Sequence, residues 1–317
     1  MKNKISIIVG GSGQLGISLS KLLLNKNQNV VITTRNIISS KKKIPFKHKR
    51  LRLFKLDVLK KKQISFLLKK FNPDYIFYFA GQSSPQISFI KPLETYKSNV
   101  VGCKNILEII DKNKINCKFI NATSSEMYGH IKKKINLNTP KKPLSPYGKS
   151  KKISFELVKK YREKKKIKSY NLILFNTESF LRNKKFIIPK ICRAAINAFK
   201  HKKKTTINNM LVSREWNWCD EQCYHILKLV KKSPQDLIIS NGKNYSLKEM
   251  IKFAFDYFKL DYKRFIKVNF NHLTKTEVMN KRSNYLYSFK KNKLTRHNKI
   301  YGKKLIIKMI KHYLNEK

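Results

Sequence analysis

Apolar runs of strand length alternate with helical patterns through the first half of the chain, and this alternation most limits the fold. The predicted order is a strand at 5–9, a helix at 15–24, strands at 30–34 and 51–56, a helix at 63–71, a strand at 75–79, a helix at 93–111 and a strand at 118–122. Because parallel strands need crossovers, and crossovers are right-handed, this order predicts an α/β fold with a doubly wound parallel sheet.

The length of 317 residues suits one such sheet with a lobe attached. A sixth strand is predicted at 171–175, and Ser246 and Glu249 form a capping box that opens a later helix. We therefore expect residues 1–176 to form a Rossmann-like domain, its sheet completed by parts of 205–240. Residues 177–317 should form mainly a smaller α/β substrate-binding lobe.

The chain is strongly basic, with 72 Lys and Arg against 18 Asp and Glu, a formal net charge of +54. Such a charge is typical of polyanion-binding proteins. Here, however, the lysines are scattered rather than clustered, Gly and Pro are scarce, and the lysine runs at 41–43 and 202–204 have the character of solvated loops. Compositional bias explains this pattern better than a nucleic-acid footprint, so no specific nucleic-acid partner is predicted.

Membrane insertion is not expected, because no apolar run approaches the roughly 20 residues that cross a bilayer. Secretion is not expected either, because the first short apolar run, Ile5–Val9, leads into glycines instead of a cleavage site. The 41% hydrophobic content favours a folded chain over a disordered one. Five cysteines without framework-like spacing are typical of a reducing compartment. We expect a cytoplasmic protein.

Three glycines, Gly10, Gly13 and Gly16, follow the first strand and open the first helix. Glycines in this position permit a tight turn, close backbone approach to a pyrophosphate and close packing of helix on strand, with the helix N-terminus facing the anion. An ordinary glycine turn is the alternative. The spacing resembles that of the short-chain dehydrogenase/reductase superfamily, and it implies a nicotinamide dinucleotide cofactor.

The second predicted strand ends in "VVITTRN", without the acidic residue that binds the ribose diol of NAD. Arg35 is instead placed to accept a 2′-phosphate, so the sequence predicts NADP in preference to NAD. Asp57 lies where the superfamily's Asp meets the adenine ring. Ala80 and Gly81, after the fourth strand, would let the cofactor lie close to the backbone.

Tyr147 and Lys151 lie on one face of a predicted helix, with Ser145 as N-cap and Pro146 at its first position. A free tyrosine, with a pKa of about 10, is a weak base at neutral pH, and a neighbouring ammonium favours its phenolate. The order of glycine turn, fifth strand and Y-x-x-x-K matches the superfamily.

The fifth strand ends in "FINATSSEMYG", which brings Ser124, Ser125 and Glu126 to the carboxyl edge of the sheet. A reductase or epimerase of this superfamily needs only a hydroxyl at this edge. The added carboxylate implies a further proton transfer. The alternative is that Glu126 is a solvated surface residue beside a strand end, without a catalytic role.

Over most of its length the chain resembles the GDP-mannose 4,6-dehydratase family. The segments that carry the resemblance are "ATSSEMYG", "SPYGKSK", "LILFNTESFLRNKKFIIPKICRA", "SREWNW" and "NYSLKEMIKFAF". The resemblance implies Glu126 as base, Ser124 as active-site hydroxyl, and Tyr147 with Lys151 as the redox pair. It also implies a homo-oligomer.

The resemblance further implies binding residues along the whole chain. For the cofactor these are Gly10, Gly13, Gln14, Leu15, Gly16, Arg35, Asp57, Val58, Ala80, Gly81, Tyr147, Lys151 and Arg182. For the nucleotide sugar they are Ser83, Ser125, Asn176, Glu178, Lys190 and Arg214.

The chain departs from the family pattern at several positions. The family's Thr is Ser124, the His after F-N is Thr177, and the arginine of R-P-T-E-V is Thr274. The proline and first arginine of P-R-R are Phe180 and Leu181. These departures bear on sugar specificity and rate more than on the chemistry.

No metal site is predicted. Cys219, Cys223 and His225 lack a fourth partner and zinc-like spacing, and a plain helix is the better interpretation.

The sequence therefore predicts a lyase that converts GDP-mannose to GDP-4-keto-6-deoxy-mannose through an internal hydride transfer. A nucleotide-sugar reductase or epimerase on the same fold is the nearest alternative. A nucleic-acid-binding protein on a dehydrogenase scaffold is the alternative from another class.

Overall fold

The computed structural model describes residues 3–131, 133–208, 210, 212–269 and 299–316. Their strands are β1 (Ile5–Val9), β2 (Asn29–Thr34), β3 (Leu51–Lys55), β4 (Tyr75–Tyr78), β5 (Lys118–Ser124), β6 (Ser169–Leu174), β7 (Thr177–Glu178), β8 (Thr205–Ile207), β9 (Ser213–Arg214), β10 (Asn217–Trp218), β11 (Asp236–Ile239), β12 (Tyr245–Ser246) and β13 (Ile266–Val268).

Eleven helices lie between or after these strands in the described part of the chain. They are α1 (Gln14–Leu24), α2 (Ile37–Lys43), α3 (Lys61–Phe71), α4 (Pro85–Ile90), α5 (Pro92–Tyr96), α6 (Gly102–Lys112), α7 (Pro146–Lys164), α8 (Ile187–His201), α9 (Cys219–Leu229), α10 (Leu247–Asp256) and α11 (Gly302–Asn315). A π-helical turn, Lys97–Val101, joins α5 to α6.

The central sheet has seven strands in the order β11-β6-β5-β4-β1-β2-β3, and every neighbouring pair is parallel. Strand order reverses between β1 and β4, so the crossovers place helices on both faces. The predicted doubly wound parallel sheet is confirmed. Ligands of such sheets bind at the carboxyl ends of the strands beside the reversal.

Apolar periodicity locates the helices that cover one face of this sheet. In α3 the buried residues Ile64, Leu67 and Leu68 recur at helical spacing, and they pack with Ile7 of β1 and Ile106 of α6. Each such side chain contributes about 1.5–3 kcal/mol on burial.

The loop predicted at Lys41–Lys43 is wrong, because these residues form the last turn of α2. Asn36 caps that helix, its side chain accepting a hydrogen bond from the Ser39 N–H at 2.9 Å. Three lysines at a helix C-terminus are favoured by the helix dipole. The other run, Lys202–Lys204, is exposed and lies outside helices and strands.

The chain divides into two compact units. The first comprises residues 1–129, 137–174 and 223–239 and contains the seven-stranded sheet. The second comprises residues 130–136, 175–222 and 240–317, of which the described part holds α8, α10 and α11. In that unit Ile191, Met250, Ile251 and Leu305 belong to one buried cluster.

The predicted capping box opens α10. The Ser246 hydroxyl accepts from the Glu249 N–H at 3.2 Å, and the Glu249 carboxylate accepts from the Ser246 N–H at 2.7 Å. Both bonds satisfy donors that a helix N-terminus would otherwise leave unpaired.

Among the described helices, none combines the length and the apolar character needed to cross a membrane.

Candidate active site

The glycine turn lies at the point where the strand order reverses. Gly10 has a φ of +73°, and a Cβ added there would lie 2.5 Å from Cα of Ala80. Gly16 packs directly on the backbone of Gly11. A side chain at Gly10 or Gly16 would therefore push the turn away from β4 or α1 away from β1.

The outer side of the turn is open. A Cβ added at Gly13 would meet only the Gly10 carbonyl, at 3.8 Å, and Gly13 as N-cap of α1 offers no side chain to cap that helix. A backbone turn without side chains at a helix N-terminus fits the pyrophosphate of a dinucleotide. Gln14 and Leu15 form the first turn of α1, and the Leu15 carbonyl accepts from Sγ of Cys223 at 3.5 Å.

Arg35 follows β2 directly and is exposed. No ion pair or hydrogen bond of its side chain occurs among the described residues, so its guanidinium can reach a ligand. After β3, Asp57 accepts from the Leu59 N–H at 3.0 Å, and the Val58 carbonyl accepts from Nδ2 of Asn105 at 3.0 Å. These contacts fix the turn that carries Asp57 and Val58.

Gly81 follows β4 with a φ of +140°, and a Cβ added there would overlap Oδ1 of Asn99. Asn99 lies in the π-helical turn, is 1% exposed, and donates through Nδ2 to the Ser150 hydroxyl at 3.0 Å and to the Gln82 carbonyl at 3.2 Å. Ser83, in the same loop, is exposed.

The sequence reasoning missed Asn99. It predicted one uninterrupted helix over 93–111, because periodicity does not reveal a single π-helical turn. The available signal was an Asn at a position on the apolar face of that helix, because an amide in such a position is expected to be buried and therefore to need hydrogen-bond partners.

The end of β5 forms a tight turn. Ser124 caps the 3-10 helix Ser125–Tyr128, and its Oγ accepts from the Glu126 N–H at 3.2 Å. The Ser124 hydroxyl can also donate its hydrogen to another acceptor. Ser124 and Ser125 are buried, whereas Glu126 is half-buried.

Helix α7 begins as the sequence predicts. The Ser145 hydroxyl accepts from the Gly148 N–H at 3.0 Å, and Pro146 occupies the first turn. Tyr147 and Lys151 follow on one face, with Nζ of Lys151 5.8 Å from the centre of the Tyr147 ring. That Nζ donates to the Ala122 carbonyl of β5 at 2.9 Å, which ties α7 to the strand ending at Ser124.

Burial lowers the pKa of Lys151 to about 8, while Cys103 opposes this shift. The ammonium is therefore predominant at neutral pH but is held close to its titration point.

The turn after β5 and the start of α7 are in backbone contact. A Cβ added at Gly148 would lie 2.6 Å from the Glu126 carbonyl oxygen. Glu126 and Tyr147 therefore belong to segments that touch, and Ser124 and Lys151 join them through β5. The structure brings together these four predicted residues.

The remaining predicted binding residues lie in the second unit. Glu178 of β7 is 1% exposed, and burial raises its pKa to about 7 against the opposing effect of Arg182, whose Nε lies 3.8 Å from Oε1. The Asn176 carbonyl accepts from the Asn217 N–H at 2.8 Å. Lys190 lies in α8 and Arg214 in β9.

The departures from the family pattern are accommodated within this unit. Thr177 donates through Oγ1 to Oε1 of Gln222 at 2.6 Å. Phe180 stacks on His312 at a centroid distance of 4.0 Å, and Leu181 is 41% exposed. Thr274 lies outside the described residues.

Cys219, Cys223 and His225 are part of helix α9 and are buried, as the helical interpretation predicts. Within the described ranges, no group of three or more His, Cys, Asp or Glu side chains is arranged to hold a metal ion.

A sequence model of the GDP-mannose 4,6 dehydratase family matches residues 7–302 of the chain. GDP-mannose 4,6 dehydratase 2 of Caenorhabditis elegans is 29% identical over 269 residues, which cover 80% of this chain and 70% of that protein. The GDP-mannose 4,6-dehydratase of Vibrio cholerae serotype O1 is 28% identical over 264 residues, covering 79% and 71%.

Solved structures show the same fold at lower identity. The UDP-N-acetylglucosamine 4-epimerase of Methanobrevibacter ruminantium superposes with a TM-score of 0.87 at 18% identity, with each chain covered completely. The dTDP-glucose 4,6-dehydratase DesIV of Streptomyces venezuelae, solved with NAD, gives a TM-score of 0.84 at 16% identity over 97% of each chain.

Proposed function

The chain belongs to the GDP-mannose 4,6 dehydratase family, and on this premise we propose that it removes water from GDP-mannose by 4,6-dehydration, with NADP as its bound redox cofactor. Placement of Glu126 is the observation that carries the proposal. Glu126 stands in the turn after β5, where its N–H donates to the Ser124 hydroxyl and its backbone carbonyl lies against Gly148 at the start of α7. A carboxylate there adds an acid–base group to the Tyr and Lys that oxidation alone requires.

Oxidation at C4 begins with removal of the hydroxyl proton. Tyr147, as phenolate, takes that proton, and the Lys151 ammonium 5.8 Å from its ring favours the phenolate by its charge. Bound at the glycine turn, the nicotinamide dinucleotide supplies a hydride acceptor for C4 and afterwards a hydride donor for C6. The glycines at 10 and 81 let the turn pack directly on Ala80 and on Asn99, which holds the loops that would carry the dinucleotide.

Elimination follows because a ketone at C4 acidifies the proton on C5. Glu126 removes that proton and, now protonated, delivers it to the departing C6 hydroxyl. The Ser124 hydroxyl, which the Glu126 N–H holds in place, donates its hydrogen to the C4 oxygen and stabilises the charge that forms there. When C6 accepts the returning hydride, Tyr147 gives C5 the proton that it took from the C4 hydroxyl, so Glu126 and Tyr147 both end in their starting protonation states.

Loss of Arg35 should weaken NADP binding specifically. Arg35→Ala removes a charge-assisted contact to the 2′-phosphate, so NADP affinity should fall about ten- to a hundred-fold while NAD affinity stays unchanged. Calorimetric titration with both dinucleotides measures this. Arg264→Ala, an exposed arginine of the second unit, is the matched control. Equal affinity for both dinucleotides, unaltered in Arg35→Ala, would contradict the assignment.

Activity should fall as the pH rises through about 8, since burial lowers the pKa of Lys151 to that value. Above it Lys151 is neutral and no longer favours the Tyr147 phenolate, whereas below it the ammonium persists. The pH profile of kcat/KM measures this limb. Lys151→Arg keeps its charge throughout, so that variant should be slower but lack the fall near pH 8. A parent profile that keeps rising beyond pH 9 would count against Lys151 in this role.

Product analysis tests the proposed function. Incubation with GDP-mannose should give a product lighter by one water, whereas UDP and dTDP sugars should react poorly. A product of unchanged mass would indicate an epimerase, whereas a reductase would leave GDP-mannose unreacted, because this sugar has no ketone to reduce. The homo-oligomer and the cytoplasmic location stay predictions, of which light scattering measures the first.

A further inference from the structure

A fully buried carboxylate lies next to Arg214 in the sequence. Glu215 is 0% exposed and accepts hydrogen bonds from the Ser240 hydroxyl and, at 2.9 Å, from the Gly242 N–H. A carboxylate is costly to bury unless hydrogen bonds stabilise it. These bonds therefore fasten the turn at 240–242 to the segment that carries Arg214.

The backbone at Arg214 is held in place by strand pairing. Strand β9 pairs antiparallel with β12, so that Arg214 lies opposite Tyr245, and the Leu247 N–H donates to the Val212 carbonyl at 2.8 Å. The Arg214 side chain is half-buried, and its Nη1 donates to the Ser213 carbonyl at 2.9 Å. The position of the guanidinium therefore depends on the backbone of this segment.

The residues that follow Glu215 belong to the same hydrogen-bond network. Asn241 donates through Nδ2 to the Trp216 carbonyl at 2.7 Å, beside the Glu215 contacts. Asn217 donates through its N–H and its Nδ2 to the Asn176 carbonyl, at 2.8 and 3.1 Å. One short segment, 213–217, thus positions both Asn176 and Arg214, and Glu215 at its centre is the carboxylate that anchors it.

We propose that Glu215 is a positioning residue that holds Arg214 in the orientation needed to bind the diphosphate of the nucleotide sugar. This inference rests on the proposed function, which assigns Arg214 to the phosphate groups. A long arginine side chain loses much conformational freedom on binding, and a fixed backbone beneath it lowers that cost. Glu215 contributes to substrate affinity through Arg214 without touching the substrate.

A double-mutant cycle measured by calorimetric titration with GDP tests the inference. Arg214→Ala should weaken GDP binding about ten- to a hundred-fold, and Glu215→Gln about tenfold. In the double variant, Glu215→Gln should add no further loss, because Arg214 is already absent. With GDP-mannose as substrate, Glu215→Gln should raise KM while kcat stays near the parent value.

The control is Glu221→Gln in the same unit. Glu221 also accepts from backbone N–H groups, those of Lys299 at 2.7 Å and Ile300 at 3.1 Å, but anchors a different segment. This variant should lower Tm without changing GDP affinity. Ser240→Ala removes one donor and leaves Glu215 in place, so it should weaken GDP binding in the same direction even if Glu215→Gln fails to fold.

Two results are kept apart by this design. If the parent binds GDP but the losses in the double variant are additive, or if Ser240→Ala leaves GDP affinity unchanged, the proposed role of Glu215 is wrong while the proposed function stands. Absence of GDP binding by the parent would overturn the proposed function, and the inference with it.

Discussion

Replacing Glu126 with glutamine should slow the loss of water from the sugar about a hundred- to ten-thousand-fold, because the amide keeps the shape of the side chain but cannot accept the C5 proton. The hydrogen bond from the Glu126 N–H to the Ser124 hydroxyl should remain, since the substitution leaves the backbone unchanged. Oxidation at C4 should therefore persist, and the variant should accumulate the 4-keto sugar that still carries its C6 hydroxyl. Rapid quench with mass analysis measures both steps.

Glu156→Gln is the matched control for this substitution. Glu156 lies on the exposed face of α7, where its contact is an ion pair of 3.8 Å with Lys152. An exposed pair of this kind contributes little to stability, and the control should dehydrate at the parent rate. If Glu126→Gln also dehydrates at the parent rate, Glu126 is not the base and the dehydratase account loses its principal residue.

Tyr147→Phe should stop the reaction one step earlier. Phenylalanine fills the same buried space at the start of α7 but cannot remove the C4 hydroxyl proton, so turnover should fall about a hundred- to ten-thousand-fold. Neither ketone nor dehydrated product should accumulate, in contrast to Glu126→Gln. Single-turnover measurements of ketone formation distinguish the two variants.

Tyr161→Phe tests whether any phenol on α7 matters. Tyr161 lies on the same helix and belongs to the periphery of the sheet core rather than to the turn after β5. The Tyr161→Phe variant should keep the parent activity. Ketone formation at the parent rate in Tyr147→Phe would contradict the assignment of the C4 base.

Much of the first unit could be predicted from the sequence, because its local signals agree. Strand-length apolar runs and helical spacing predicted six strands of the sheet, and Gly10, Gly13 and Gly16 marked the turn beside the strand reversal. The N-cap at Ser145 and the capping box at Ser246 were readable for the same reason, since each is a contact over three residues.

Features that depend on distant residues could not be predicted. The π-helical turn at Lys97–Val101 accompanies the bonds from Asn99 to Ser150, and the burial of Glu215 depends on the turn at 240–242. Helix α2 was missed because lysines indicate solvent exposure in a loop and on a helix end equally well.

The most direct test of the central claim follows deuterium placed at C4 of GDP-mannose. In the proposed mechanism the hydride removed from C4 returns to C6 of the same sugar, so a catalytic amount of NADP should support many turnovers without net formation or use of NADPH. The predicted result is deuterium at C6 of the dehydrated product. Loss of that deuterium to the cofactor pool, or a requirement for one NADPH per product, would contradict the mechanism assigned to Tyr147, Lys151 and Glu126.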